Sequence, residues 1–110
     1  MKINKIVKPS EMIKIEMTDD LGIFVGRASL FLIFNDLHKE PYGLLEDVFV
    51  EEKFRGQGYG TKLVQEILSL AKEKKCYKII AQSRHTNTKV HELYKRLGFK
   101  EHGLNFRLDF

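Results

Sequence analysis

Cysteine occurs once in the 110 residues, at Cys76, so no internal disulfide can form. That fits a reducing compartment, and a cytoplasmic location is expected. No window approaches the ~18 consecutive apolar residues of a membrane-spanning helix, so no membrane partner is expected. The opening residues, MKINKIVKPSEM, lack an apolar segment, and no signal peptide is read there. Internal repeats, low-complexity tracts and linkers are absent as well. The four histidines, His38, His85, His91 and His102, show no metal-ligand spacing, so no metal is expected.

What is present suits one globular domain spanning residues 1–110. The chain is 43% hydrophobic and 31% charged, which is ordinary globular usage. Its length is enough to bury a core without staples. Eight Phe and four Tyr favour a core that contains a sheet. The net charge of +4 suits an anionic ligand. Nucleic acid is disfavoured, because the lysines are spread along the chain. Their densest run, KEKK at 72–75, closes a helix, where cations complement the dipole.

Periodicity lays out the elements. Ile3 to Val7 and Ile13 to Met17 read as short strands, and DDLG at 19–22 as a turn. Ile23 to Phe34 is a long strand with Gly26 at a bulge or bend. NDLHKEPYG is a polar connection, and LLEDVFV at 44–50 is the next strand, antiparallel to the one before it. Behind it, Leu63, Val64, Ile67, Leu70 and Ala71 share one helix face. CYKIIA at 76–81 reads as a central strand. A second helix carries Val90, Leu93, Tyr94 and Leu97 on one face and stops at Gly98. FKEHGLNFRLDF reads as a closing strand with Gly103 at its bend. The fold class is therefore α/β (α+β): a mixed sheet with antiparallel N-terminal strands, then strand–helix–strand–helix–strand. The unit from 44 to 81 should be a right-handed parallel crossover.

The stretch FRGQGYGTKL, residues 54–63, holds three glycines, Gly56, Gly58 and Gly60, just where the first helix begins. Glycine is costly in ordered backbone. A strand, a glycine-rich turn and a helix start together outline a phosphate site, because the first helical turn offers unpaired N–H groups and a positive dipole end. Thr61 is read as opening the helix. The spacing fits neither a Walker A loop nor a dinucleotide fingerprint.

Arg55-Gly56-Gln57-Gly58-Tyr59-Gly60 matches the Q/R-x-x-G-x-G/A signature of the GNAT family of N-acetyltransferases. LEDVFVEEKFRGQGYG resembles that family's fourth strand and pyrophosphate loop, and NTKVHELYKRLGF resembles its second motif. The resemblance covers residues 44 to 99 and implies transfer from acetyl-CoA to an amine acceptor. It implies that backbone amides of Arg55 to Thr61, including Gln57 and Tyr59, hold the pyrophosphate. Phe49 and Val50 would pair with the pantetheine, and that strand would splay from Lys78–Ala81 to admit the thioester. Asn87 would hydrogen-bond the pantetheine arm and Tyr94 would lie near the sulfur. LEDVFV with CYKII resembles the hexosamine-phosphate branch, although diamine acetyltransferases share the first of these. Compared with a full-length member, the region before Leu21 is expected to be reduced and the acceptor side under-built. A homodimer is the expectation that follows.

The chemistry asks for a base to free the amine and an acid to protonate the leaving thiolate. Tyr94 is the candidate acid. Glu46 is the candidate base, through a water, with Asp47 expected on the opposite strand face. Blander roles stand beside these. Tyr94 can be core, Asn87 a helix N-cap, and Glu46 and Asp47 solvated or paired with lysines. Cys76 has no base partner and is read as packing. A non-catalytic acyl-CoA-binding or regulatory module remains the alternative function, since it would use the same loop.

Overall fold

The computed structural model describes all 110 residues. Four strands form one sheet in the order of the chain: β1 (Glu11–Thr18), β2 (Phe24–Ile33), β3 (Tyr42–Val50) and β4 (Ile79–Ala81). The first three are antiparallel, and β4 runs parallel to β3. Helix α1 (Tyr59–Glu73) links β3 to β4, and helix α2 (Thr88–Arg96) follows β4. The sheet is mixed, as the sequence pattern implies.

Local chemistry explains the connections. The β1–β2 turn is closed by Asp19, whose Oδ1 accepts from the backbone N–H groups of Leu21 and Ile23, both at 2.9 Å. Gly22 takes a φ of 79° there, a region that favours glycine. On the inner face of the sheet, Ala28, Leu30, Leu32 and Leu45 pack against Leu63, Val64, Ile67 and Ala71 of α1. The i, i+1, i+4, i+8 spacing on α1 gives one apolar stripe, which is why this helix lies flat on the sheet. Helix α2 buries no residue completely. It ends as expected at Gly98, φ 100°. There Gly98 N–H donates to Lys95 C=O and Phe99 N–H to Tyr94 C=O, a paired C-terminal cap.

Several expectations are corrected. Residues 3–7 form no strand, and Ile3, Ile6 and Val7 are exposed. The 76–81 strand shortens to Ile79–Ala81 and lies at the sheet edge, not its centre. The closing strand is absent, and residues 99–110 carry no regular structure. A strand needs a neighbouring edge to satisfy its backbone, and the three-residue β4 offers a short one. Helix α1 starts at Tyr59 with Gly58 as its N-cap, two residues before Thr61. Gly26 is required by close approach, since a Cβ there would lie 2.5 Å from the Phe49 carbonyl oxygen. The β1–β2 register shifts right beside it, between Met17 and Thr18.

Candidate active site

Three features converge at the C-terminal end of β3: a glycine turn, a gap between strands, and a pair of titratable groups. The turn comes first in the chain. Past Val50, a short 3-10 turn (Glu52–Phe54) reverses the backbone. Arg55 Nε donates back to the Val50 carbonyl at 2.8 Å, and its guanidinium lies 5.7 Å from the Phe49 ring centre. Gly56 and Gly58 take φ values of 77° and 85°. A Cβ at either would meet nothing within 4 Å. These glycines therefore serve the backbone conformation and leave open space outside the turn.

That turn aims a row of donors outward. The first intrahelical bond of α1 is Lys62 N–H to Gly58 C=O, at 3.2 Å. The N–H groups of Gly56 through Thr61 take part in no turn, loop or cap hydrogen bond. No acidic residue occupies the first turn of α1. Instead, Arg96 reaches over from the last turn of α2, its Nη2 donating to Thr61 Oγ1 at 3.3 Å. Neither Arg55 nor Arg96 has a carboxylate partner within 4 Å. A cation at the positive end of a helix is in the unfavourable place. A bound anion reconciles the donors, the dipole and the two arginines at once. The residues therefore fit the pyrophosphate of acetyl-CoA. Arg96 was not foreseen, because it stands 35 residues from Thr61 and nothing local signals that α2 crosses the α1 terminus.

The gap lies beside this turn. Strands β3 and β4 pair only from Gly43–Leu45 to Ile79–Ala81. Beyond Leu45, β3 has no partner on that side. A cleft of about 580 Å³ opens there, bounded by Leu45 to Val48, Gln82 to Arg84 and the inner face of α2. The splay thus begins after Ala81, while residues 79–81 themselves remain paired. Asn87 lines the cleft and also caps α2, its Oδ1 accepting from Val90 N–H at 3.4 Å. Phe49 and Val50 are half-buried at the end of β3.

Glu46, Asp47 and Tyr94 line this same cleft. The expected alternation of Glu46 and Asp47 to opposite faces fails. Between the pairs Arg27–Phe49 and Ser29–Glu46, β3 carries one residue more than β2. This bulge takes Asp47 to a φ of 56° and breaks the period of two. Asp47 is then held by Arg27, whose Nε and Nη2 donate at 2.7 and 3.3 Å. The hydrogen bond from Arg27 pulls the Asp47 pKa below its ordinary value, and the Arg27 charge adds to that. Glu46 has neither an ion-pair nor a hydrogen-bond partner. Tyr94 packs on Phe99, with ring centres 5.2 Å apart. Burial pushes its pKa up, and the nearby Glu46 charge pushes it further. The cleft therefore presents a free carboxylate beside a hydroxyl that holds its proton firmly.

Among His, Cys, Asp and Glu side chains, no group of three could hold a metal ion. No helix is long and apolar enough to cross a membrane.

Comparisons with known proteins bear on the family and the fold. The model of the Acetyltransferase (GNAT) family matches residues 6–99. A glucosamine 6-phosphate N-acetyltransferase of Trypanosoma brucei brucei is 37% identical over 89 residues, covering 80% of this chain and 58% of that protein. A thialysine N-epsilon-acetyltransferase of Sus scrofa is 35% identical over 57 residues, covering 52% of this chain and 34% of that protein. The crystal structure of a Trypanosoma brucei acetyltransferase superposes with a TM-score of 0.79 at 30% identity, covering 90% of this chain and 69% of that one. The chain thus spans 58% and 34% of the length of these two curated relatives.

Proposed function

The chain belongs to the acetyltransferase (GNAT) family, and from that membership we propose that it transfers an acetyl group from acetyl-CoA to an amine by direct attack. The observation that carries this reading is the meeting of Glu46 and Tyr94 in one cleft, where β3 loses its partner strand.

Each residue has a task in that reaction. Amides of the Arg55–Thr61 turn, including those of Gly56, Gln57, Gly58, Tyr59 and Gly60, bind the pyrophosphate, with Arg55 and Arg96 adding charge. The unpaired edge of β3 near Phe49 and Val50 takes the pantetheine arm as another strand would, and Asn87 offers its amide to that arm. A β3 amide near Val50 stabilises the carbonyl oxygen as charge develops. Glu46 accepts a proton from the incoming ammonium through a water, giving nitrogen its lone pair. The C–N bond then forms as the C–S bond breaks. Tyr94 gives its proton to the departing sulfur. In sum the ammonium loses two protons: one replaces that given to sulfur, and the other reaches solvent.

The test is thiol release from acetyl-CoA over a panel of amine acceptors. Acceptor-dependent release is expected. A protein that binds acetyl-CoA and releases no thiol with any amine would instead be an acyl-CoA-binding module, for which the glycine turn alone suffices.

A further inference from the structure

The bulge that frees Glu46 also opens a second, shallower cleft, about 360 Å³, lined by Met12, Ser29, Phe31, Leu44, Glu46 and Asp47. It lies on the sheet face away from α1. Met12, Phe31 and Leu44 stand side by side across β1, β2 and β3, because Met12 pairs with Phe31 and Phe31 with Leu44. Lys14, Ser29 and Glu46 form the next row. Glu46 and Asp47 line both clefts, so the two spaces meet at the bulge.

Two observations point to a ligand here. Ser29 is 2% exposed, yet its hydroxyl makes no hydrogen bond with the protein. Every fully enclosed side-chain polar atom does have a partner. The Ser29 hydroxyl therefore spends its small exposure on the cleft it lines. The second observation is the charge account. The charged groups facing this side are Lys14 and Glu16 of β1, Arg27 of β2, and Glu46 and Asp47 of β3, with Glu51 just past the end of β3 near Arg27. Lys14 holds Glu16 at 3.2 Å, and Arg27 holds Asp47 at 2.7 Å. Glu46 and Glu51 have no ion-pair partner, and of the two only Glu46 lines the cleft.

We propose that this cleft is the acceptor site and that it selects a primary amine on an apolar body without an anionic group. The inference rests on the acetyl-transfer reading above. The ammonium donates to the Ser29 hydroxyl oxygen and, through a water, to the Glu46 carboxylate. Met12, Phe31 and Leu44 take the aliphatic or aromatic body. A sugar phosphate fits poorly: both cations are already paired, and two carboxylates would face its phosphate. The acceptor class thus differs from that in the name of the Trypanosoma brucei brucei relative.

Calorimetric titration of 2-phenylethylamine and glucosamine 6-phosphate into the CoA-saturated protein tests this, with thiol release read in parallel using acetyl-CoA. The arylamine should bind at least about tenfold more tightly: both amines can reach Glu46, but only the phosphosugar sets an anion against the carboxylates, a like-charge juxtaposition that costs at least that much. Ser29→Ala should weaken it about fivefold, the worth of one hydrogen bond, and leave CoA affinity unchanged. Phe31→Ala should weaken 2-phenylethylamine and spare methylamine. Equal or tighter binding of the phosphosugar, or an unchanged arylamine Kd in Ser29→Ala, overturns the site. Tight, Ser29-dependent arylamine binding without thiol release sinks the transfer reading and leaves the site standing.

Discussion

At the scale of single residues, Tyr94 carries the sharpest forecast. Tyr94→Phe removes one oxygen and keeps the ring against Phe99, so acetyl-CoA affinity should hardly change. Turnover should fall about 10²–10⁴-fold, the worth of a positioned acid. Steady-state kinetics with a good acceptor decide it, and wild-type kcat in the variant removes Tyr94 from the chemistry. The raised pKa of Tyr94 fixes a sign for stability as well. In the unfolded chain this phenol ionises near its ordinary value of ~10, while the folded protein still holds the proton. Its contribution is therefore complete below that value and is lost as pH rises through the folded pKa. Chemical denaturation should show wild type losing more stability than Tyr94→Phe in strongly alkaline buffer. Asp47 behaves oppositely: its lowered pKa gives stability above the ordinary carboxylate range, lost as pH falls through the folded value.

Arg96 and Asp47 show why single residues were unevenly legible in the sequence. Gly98 obeys a local rule, that a helix end wants a left-handed residue, and so did Asn87 as a cap. Local rules can be read along the chain. Arg96 acts through a neighbour 35 positions away, and Asp47 through a bulge whose cause lies in the pairing of another strand. Neither leaves a periodic trace.

Among the elements, helix ends offer the clearest gains and losses. The last turn of α1 closes with Cys76 N–H to Ala71 C=O at 2.9 Å and Lys75 N–H to Lys72 C=O at 3.0 Å. This is the same paired cap as at Gly98, but its left-handed position is filled by Lys75, φ 62°. Lys75→Gly should relieve that backbone and stabilise the protein by about 0.5–1 kcal/mol. Urea melts would show a raised midpoint, and a lowered one would mean the lysine side chain matters more than its φ. The start of α1 gives the converse. Acetyl-CoA should raise Tm by mass action. Gly58→Val forces a branched side chain to φ 85°, costing about 1–2 kcal/mol, and should abolish that ligand shift while the protein stays folded. A shift of wild-type size in the variant would take the turn out of the cofactor site. Both helices and the three long strands were readable from apolar spacing, because each turns one apolar face, buried or half-buried, toward its neighbours. The 3–7 and 99–110 strands were not: their apolar residues have strand spacing, but pairing depends on edges the spacing does not describe.

For the whole molecule, the unpaired ends dominate the shape. The radius of gyration is 16.2 Å, against about 13 Å for a compact domain of this length. Leu104, Phe106, Leu108 and Phe110 alternate along the C-terminal segment and are 78% to 115% exposed. Such a segment is a strand in search of an edge, and β1 and β4 each offer one. A second copy of the chain is the occupant we expect. Light scattering should give twice the monomer mass of 12.9 kDa, and the monomer mass at working concentration would refute it.

The three residue pairs joining β3 to β4 have a bearing on motion. They are the strand pairing that ties the chain after Ala81 to the sheet; α2 adds half-buried Leu93, Tyr94 and Leu97 and the Arg96–Thr61 hydrogen bond, but no fully buried residue. Amide protons of β4 and α2 should therefore exchange with deuterium through a local opening, well before the protons of β2 and α1, which wait for global unfolding. Acetyl-CoA, bridging β3 and α2 across the gap, would slow the first group selectively and turn two loosely hinged halves into one exchange unit.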